Sequence, residues 1–294
     1  MKMTHAMAVW VMVGNAALWS TAGVVTRHLE EARSFEVTFW RSFFTVVSLL
    51  VILPLWQGKG VFARLPWRNR YFWLSGVCWS VMFTAFMVAL TLTAVANVLI
   101  TLAVGPLLTA LITWLFLGHR LPARTWLAIA LAGIGIAWMY GNQLSLGDPN
   151  FLIGSLVALC VPIAGAVQWT LVQKSQTEGQ NLDLVPSVLL GAVFSSLMTL
   201  PLAMPFQASA HDVALLAGLG LFQLAIPCAL SVVCARVLKA PEVSLLALLE
   251  VVFGIALAWW GANEVPQSSV LLGGSLVLMA LVMNQWLGWR KNND

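Results

Sequence analysis

Charge is what this sequence has least of. Its 15 Lys and Arg and 11 Asp and Glu make up 9% of 294 residues, against roughly 25% in an ordinary soluble domain. So little charge leaves no solvated surface for a water-soluble globule, which excludes a soluble enzyme, an extracellular module and a disordered scaffold. The four cysteines, Cys78, Cys160, Cys228 and Cys234, lie inside apolar segments as small packing residues do and supply no disulfide framework. The four histidines, His5, His28, His119 and His211, sit at or beyond the ends of those segments. No HExxH pair, GxSxG elbow or Walker loop is present, so metal, hydrolytic and ATP-driven chemistry lack their groups. No cofactor is called for, and no metal. A net charge of +4 spread over short segments, with no continuous basic stripe, is no footprint for nucleic acid.

What the chain has is long apolar runs, with 60% hydrophobic residues. Runs of about 18 to 23 residues bounded by charge, Pro or Gly predict ten transmembrane helices. They lie near 7–25, 37–57, 71–92, 96–117, 124–142, 151–173, 184–204, 213–235, 242–262 and 268–288. The first run, after Lys2, has the look of a signal peptide, but nine more follow it and it reads as a retained helix. With both termini in the cytoplasm, the basic residues of the even-numbered loops and the ends fall on that side: Lys2, Lys59, Arg64, Arg68, Arg70, Arg120, Arg124, Lys174, Arg236, Lys239, Arg290 and Lys291. Arg27 and Arg33 alone fall outside, so the positive-inside rule selects this orientation and a multi-pass inner-membrane protein. Fifteen Trp accompany two Tyr. Trp10, Trp56, Trp67 and Trp289 lie at span ends as interfacial anchors, whereas Trp19, Trp79, Trp138 and Trp169 lie deeper.

Laying residues 94–142 over 238–286 pairs helix, loop and helix at an offset of 144 residues, with Leu102 against Leu246, Ala103 against Ala247 and Pro122 against Pro266. A repeat of five spans is odd-numbered, so its second copy enters the bilayer from the opposite face. The expected architecture is all-α, two inverted five-helix repeats over residues 1–147 and 148–294, an arrangement in which a site forms near the midplane between halves.

The runs VGPLLTALITWLFLGHRLP from Val104 to Pro122 and LEVVFGIALAWWGANEVP from Leu249 to Pro266 resemble the paired signatures of EamA-type members of the drug/metabolite transporter superfamily. Ala17 to Ser20 in the first span and Phe39, Trp40 and Arg41 in the second extend the likeness. Val251 stands where that family often has Pro, and Arg120 where the first repeat often has Glu. The resemblance implies export of a small metabolite, often an amino acid or related amphiphilic compound, without ATP or bound cofactor; the layout is read as alternating access by a monomer or homodimer in the bilayer, driven by protons or by the substrate's own gradient. A membrane enzyme or a channel is the alternative.

Two charges fall well inside apolar runs. Glu250 is eight residues past Glu242, about 12 Å along a helix axis. A carboxylate there costs about 2.5–3.5 kcal/mol and has to face protein or a wet cavity. It reads either as a coupling group, exchanging a proton for a substrate ammonium, or as a structural partner of neighbouring helices. Arg41, about five residues into the second span, is expected to snorkel to the interface and pair with Glu36; binding a substrate carboxylate is the other reading. Pro106, Pro162 and Pro227 interrupt the fourth, sixth and eighth spans, where freed carbonyls need protein or water, and stand as gating candidates. Gly220, Gln223, Pro227 and Ser231 share one helix face, which suits either the cavity or close packing. Asn15 and Trp19, with Trp79, suit an organic substrate with an amino group. Asn97 with Thr101, and Gln168 beside Trp169, complete the candidate lining.

Overall fold

The computed structural model describes residues 3–32, 34–118, 149–179 and 182–293, and between them 123, 126–128, 130–131, 133–135 and 138. Among the described residues every regular element is helical, and no strand occurs. The helices are α1 (His5–Trp19), α2 (Thr21–Thr26), α3 (Ser34–Gln57), α4 (Arg70–Leu92), α5 (Val95–Leu102) and α6 (Gly105–Leu117). After the partly described stretch come α7 (Pro149–Thr177), α8 (Pro186–Ala203), α9 (Ala210–Gly218), a π-helical segment (Leu219–Ala225), α10 (Ile226–Cys234), α11 (Ala240–Ala247), α12 (Leu249–Ala262) and α13 (Ser268–Asn293).

Among the described residues eight continuous or jointed helices are long and apolar enough to cross a membrane, the first being His5–Thr26 and the last Ala240–Ala262. Their bounds fall within a few residues of the expected ones. The fifth expected span, 124–142, lies mostly outside the described residues. The tenth is represented by the shorter apolar helix Ser268–Ala280 at the start of α13.

Several crossings are jointed rather than straight. The first breaks at Ser20, between α1 and α2. The fourth breaks at Ala103 and Val104, and α6 then starts with Pro106 in its first turn, where a missing N–H removes no helical bond. The ninth breaks at Leu248, between α11 and α12. At the offset of 144 the joint at Val104 falls on Leu248, and the first residues of α6 and α12, Gly105 and Leu249, coincide. The eighth crossing instead widens into the π segment just before Pro227, which opens α10. At Pro162 the helix α7 continues without a joint, although the ring, having no N–H, still leaves the Ala158 carbonyl without that bond.

Polar side chains gather at two ends. At one, His5 pairs with Glu242 at 2.8 Å, the Tyr71 hydroxyl donates to Glu178 at 2.7 Å, Arg236 pairs with Asp183, and the Ala240 N–H donates to Gln173. At the other, Arg27 pairs with Glu264 at 2.8 Å and donates to the carbonyls of Leu90 and Thr93, while Glu264 also accepts the Val95 N–H. On that same side Asp212 accepts the backbone N–H groups of Glu30, Glu31 and Ala32, each at 2.9 Å. Glu36 there accepts those of Gln207 and Ala208. Carboxylates thereby satisfy backbone donors in loops where helix ladders have stopped.

Between these ends lie two apolar core clusters. One includes Met12, Leu49, Phe72, Trp79, Trp169 and Val232; the other includes Ala22, Phe86, Leu90, Leu99, Val251 and Val277. Glycine permits the closest helix contacts. A Cβ on Gly191 in α8 would sit 2.3 Å from the Trp79 Cβ and 2.9 Å from the Gly76 carbonyl of α4. Gly220 is pressed in the same way onto the Arg41 carbonyl and the Phe44 Cβ of α3. Expanding such a contact by a side chain forces backbone apart and costs about 1–3 kcal/mol or more. Gly191→Val should therefore lower the thermal midpoint of the detergent-purified protein, measured by fluorescence-detected size exclusion, whereas Gly14→Ala, where a Cβ meets nothing within 4 Å, should leave it unchanged.

Candidate functional site

A cavity of about 130 Å³ opens where the two core clusters meet. Its wall takes Trp79, Phe83 and Phe86 from the middle of α4, Pro162 and Trp169 from α7, Trp19 from the end of α1, and Arg41 from α3. Gln223 of the π segment, Cys228 of α10, Ser244 of α11, and Leu248 with Glu250 at the ninth-crossing joint complete it. Gly105 and Leu102 bring the joint of the fourth crossing to the same wall. Broken helices thus converge on the cavity, as expected where irregular backbone needs neighbours other than lipid.

The aromatic part is a cluster in contact. Trp79 lies edge-on to Trp169 with ring centroids 5.8 Å apart, and tilts against Phe83 at 5.5 Å. Quadrupole-favoured edge contacts of this kind hold large rings in fixed orientations. Trp19, Trp79 and Trp169 are all buried, whereas Trp138, also expected to lie deep, is exposed at 62%. Trp10, Trp56 and Trp67 are exposed as their anchor reading requires; the Trp289 side chain lies outside the described residues.

Arg41 is the largest fully buried side chain, at 0% exposure. Its Nη1 donates to Gln223 Oε1 at 3.1 Å and its Nη2 to the Phe83 carbonyl at 2.6 Å. Phe86 covers the guanidinium face at 5.8 Å. The expectation that Arg41 snorkels outward and pairs with Glu36 is therefore corrected. Glu36 is occupied by two backbone N–H groups and the Trp40 indole, and the guanidinium is drawn inward by acceptors on α4 and the π segment. Gln223 spans the gap on its other side, its Nε2 donating to the Trp19 carbonyl at 3.4 Å. Seven-residue π winding at Leu219–Ala225 accompanies this: a π segment shifts the side chains of its turn relative to an α-helix, and such bulges concentrate at functional sites.

Glu250 faces the same cavity from the first turn of α12. It interacts electrostatically with Arg41 across the space, yet no ion pair joins them among the described residues. The two opposite charges flank one chamber without neutralising each other by contact.

Of the residues expected at the site, Trp19, Trp79, Trp169, Gln223, Glu250, Arg41 and Pro162 meet at the cavity. Pro106 and Pro227 are chain neighbours of the lining residues Gly105 and Cys228. Asn15, Asn97, Thr101 and Gln168 are buried elsewhere, a correction to the expected lining. The Asn97 amide donates to Thr93, Thr101 returns its hydroxyl to the Asn97 carbonyl, and Gln168 accepts from Ser75. Asn15 lies against the Met12 sulfur. Of these contacts, the one between Gln168 and Ser75 ties α7 to α4, and the others are local, three or four residues apart. Phe83, Phe86, Ser244 and Cys228 line the cavity without having been singled out. The α4 pair was within reach, because Phe83 and Phe86 fall one and two turns after Trp79 on its face. Among the described residues no three His, Cys, Asp or Glu side chains come together to hold a metal.

Fold and cavity define the class: an all-helical, multi-pass membrane protein with a small chamber among its crossings. Residues 6–141 match the model described as the EamA-like transporter family, which is consistent with an EamA-type protein of the drug/metabolite transporter superfamily. No curated protein matches the sequence. A solved structure titled "Crystal structure of protein" has a TM-score of 0.68 over 97% of this chain and 99% of its own, at 16% identity, a likeness in fold that spans both halves.

Because Gln223 is the acceptor for a buried cation, removing it costs about 1.5–3 kcal/mol, the range for a hydrogen bond to a charged group. Gln223→Leu should lower the thermal midpoint of the purified protein, and Gln223→Glu, which replaces the amide acceptor with a carboxylate, should retain or raise it.

Proposed function

We propose that this protein is a secondary carrier of ten crossings in two inverted halves, residues 1–147 and 148–294, which exports a small amphiphilic metabolite from the cytoplasm across the inner membrane by alternating exposure of the central cavity. The observation that carries this reading is the chamber itself, lined by joints from crossings of both halves and flanked by Arg41 and Glu250.

Three features support the architecture. First, Thr109 and Thr113 of α6 approach Ser244 and Thr170, so α6 runs toward the end that holds Tyr71, Glu178 and Glu242. Gly154, near the start of α7, packs on Leu92 and Thr93 at the opposite end. α6 thus ends and α7 begins at opposite ends of the molecule, as the reading with a fifth span between them requires. Second, the joints at Val104 and Leu248 coincide at the offset of the sequence repeat. Third, the first crossing runs from the His5 end to the Arg27 end, while α7 runs from the Thr93 end to the Glu178 end, as an inverted second half requires.

In this reading the end with His5, Lys59 and Arg236 is cytoplasmic. Cysteines placed singly in a background lacking the native four should divide accordingly. Glu30→Cys and Gly147→Cys should react with an impermeant maleimide on intact cells, and Lys59→Cys and Arg120→Cys only after permeabilisation; labelling of Gly147→Cys and Arg120→Cys from one side would remove the fifth crossing.

Glu250 is the coupling candidate, since one carboxyl that holds either a proton or a substrate cation links their movements by competition. Stabilisation of the purified protein by candidate metabolites would select a substrate, and proteoliposome flux would test transport. A carrier shows saturation and counterflow and returns its substrate chemically unchanged; a channel shows neither, and an enzyme alters it. Glu250→Gln should keep the fold and lose flux driven by a pH step. Unaltered flux in that variant at every gradient would remove the coupling role.

A further inference from the structure

The cavity wall includes residues whose hydrogen-bond donors are unused. Among the described residues, the buried side-chain nitrogens and oxygens without a hydrogen-bond partner include two on residues that line the cavity, Arg41 Nε and Trp79 Nε1. Both are N–H donors that cannot accept. The guanidinium is used on its other edges, by Gln223 at Nη1 and the Phe83 carbonyl at Nη2, and its face is covered by Phe86. The remaining edge, at Nε, is free. The Trp79 ring is held by Phe83 and Trp169, leaving its N–H as the unused group.

Resting on the carrier reading above, we propose that Arg41 and Trp79 form an acid-binding pole of the cavity, and that the transported compound is anchored through a carboxylate, with Glu250 left to take a cationic group on the same molecule. Among the described residues the buried guanidinium has no contacting counter-ion, which is expensive to maintain, and a carboxylate acceptor removes that cost. Charge-assisted bonds from guanidinium to carboxylate are the strongest of the polar contacts available here. Met82, Phe83, Phe86 and Trp169 leave an apolar, aromatic space beside the pole for the rest of the compound. The arrangement discriminates by an unpaired group: a molecule lacking the acid leaves two buried donors empty, which is the kind of defect that rejects an analogue strongly. Organic cations without an acid group are therefore excluded, although the carboxylate of Glu250 alone suits them.

The test uses the full chain, purified in detergent, and three probe mixtures: the proteinogenic amino acids, their carboxamides, and the amines left by their decarboxylation. The acids should raise the thermal midpoint and the other two mixtures should not. For the best single acid, Arg41→Lys and Trp79→Phe should each weaken binding by about tenfold. Trp79→Phe keeps an aromatic ring and removes the indole N–H together with the five-membered ring that carries it, and it gives the second readout if Arg41→Lys does not remain monodisperse. Equal stabilisation by amides or amines, no stabilisation by any acid, or wild-type affinity in Trp79→Phe would overturn the proposal. Proteoliposome counterflow separates this failure from that of the carrier reading: counterflow of an amine with none for its acid rejects the acid-binding pole and keeps the carrier, whereas absence of counterflow for acid, amide and amine alike rejects the carrier.

Discussion

Hydrocarbon offers no hydrogen-bond partner, and every polar group in the crossings has to find one inside the protein. That constraint sorts the molecule. Carboxylates and cations that can reach the surface gather at two ends, where Asp212, Glu36 and Glu264 cap loop backbone and tie neighbouring crossings. Hydroxyls in the middle bond the carbonyl one turn back or bridge helices, as Ser42, Ser195 and Thr84 do. Arg41 and Glu250 follow neither pattern, and both line one internal space.

The cavity and the helix joints are two aspects of one arrangement. A continuous helix consumes its own carbonyls and amides, so it presents only side chains to a neighbour. A joint at Val104 or Leu248, and the π segment before Pro227, change the direction and register of the side chains that follow. Gln223 gains from this a position between Arg41 and the Trp19 carbonyl that ties three crossings together. Close helix approach at Gly191 and Gly220 then sets how far the aromatic residues of α4 and the backbone of α3 lie from the second half of the chain. The chamber is small because it is what remains between tightly seated helices.

Much of the fold was legible from the chain alone. Composition demanded a membrane, run length gave crossings whose ends agree with the described helices within a few residues, and a charged residue in mid-span pointed to the interior. Glu250, Gln223 and the deep Trp19, Trp79 and Trp169 were found this way, because each is a residue type that hydrocarbon either penalises or has no special use for. Arg41 was misread, since depth along one helix says how far a guanidinium is from the interface and nothing about acceptors on other helices. Asn15, Asn97, Thr101 and Gln168 were assigned to the lining for a related reason: polarity at depth marks a need for a partner, and whether a substrate or a neighbouring hydroxyl meets it depends on packing.

The sequence by itself determined the solvent in which this chain folds, its helical class, the places where helices begin and end, and the few side chains too polar to face lipid. These follow from transfer free energies and helix geometry, which are local and additive along the chain. Only the tertiary structure decided that Arg41 turns inward, that α7 continues through Pro162, and that the joints of two distant segments meet at one cavity. Those outcomes depend on which surfaces touch across more than a hundred residues of chain, and no local property encodes a partner that far away.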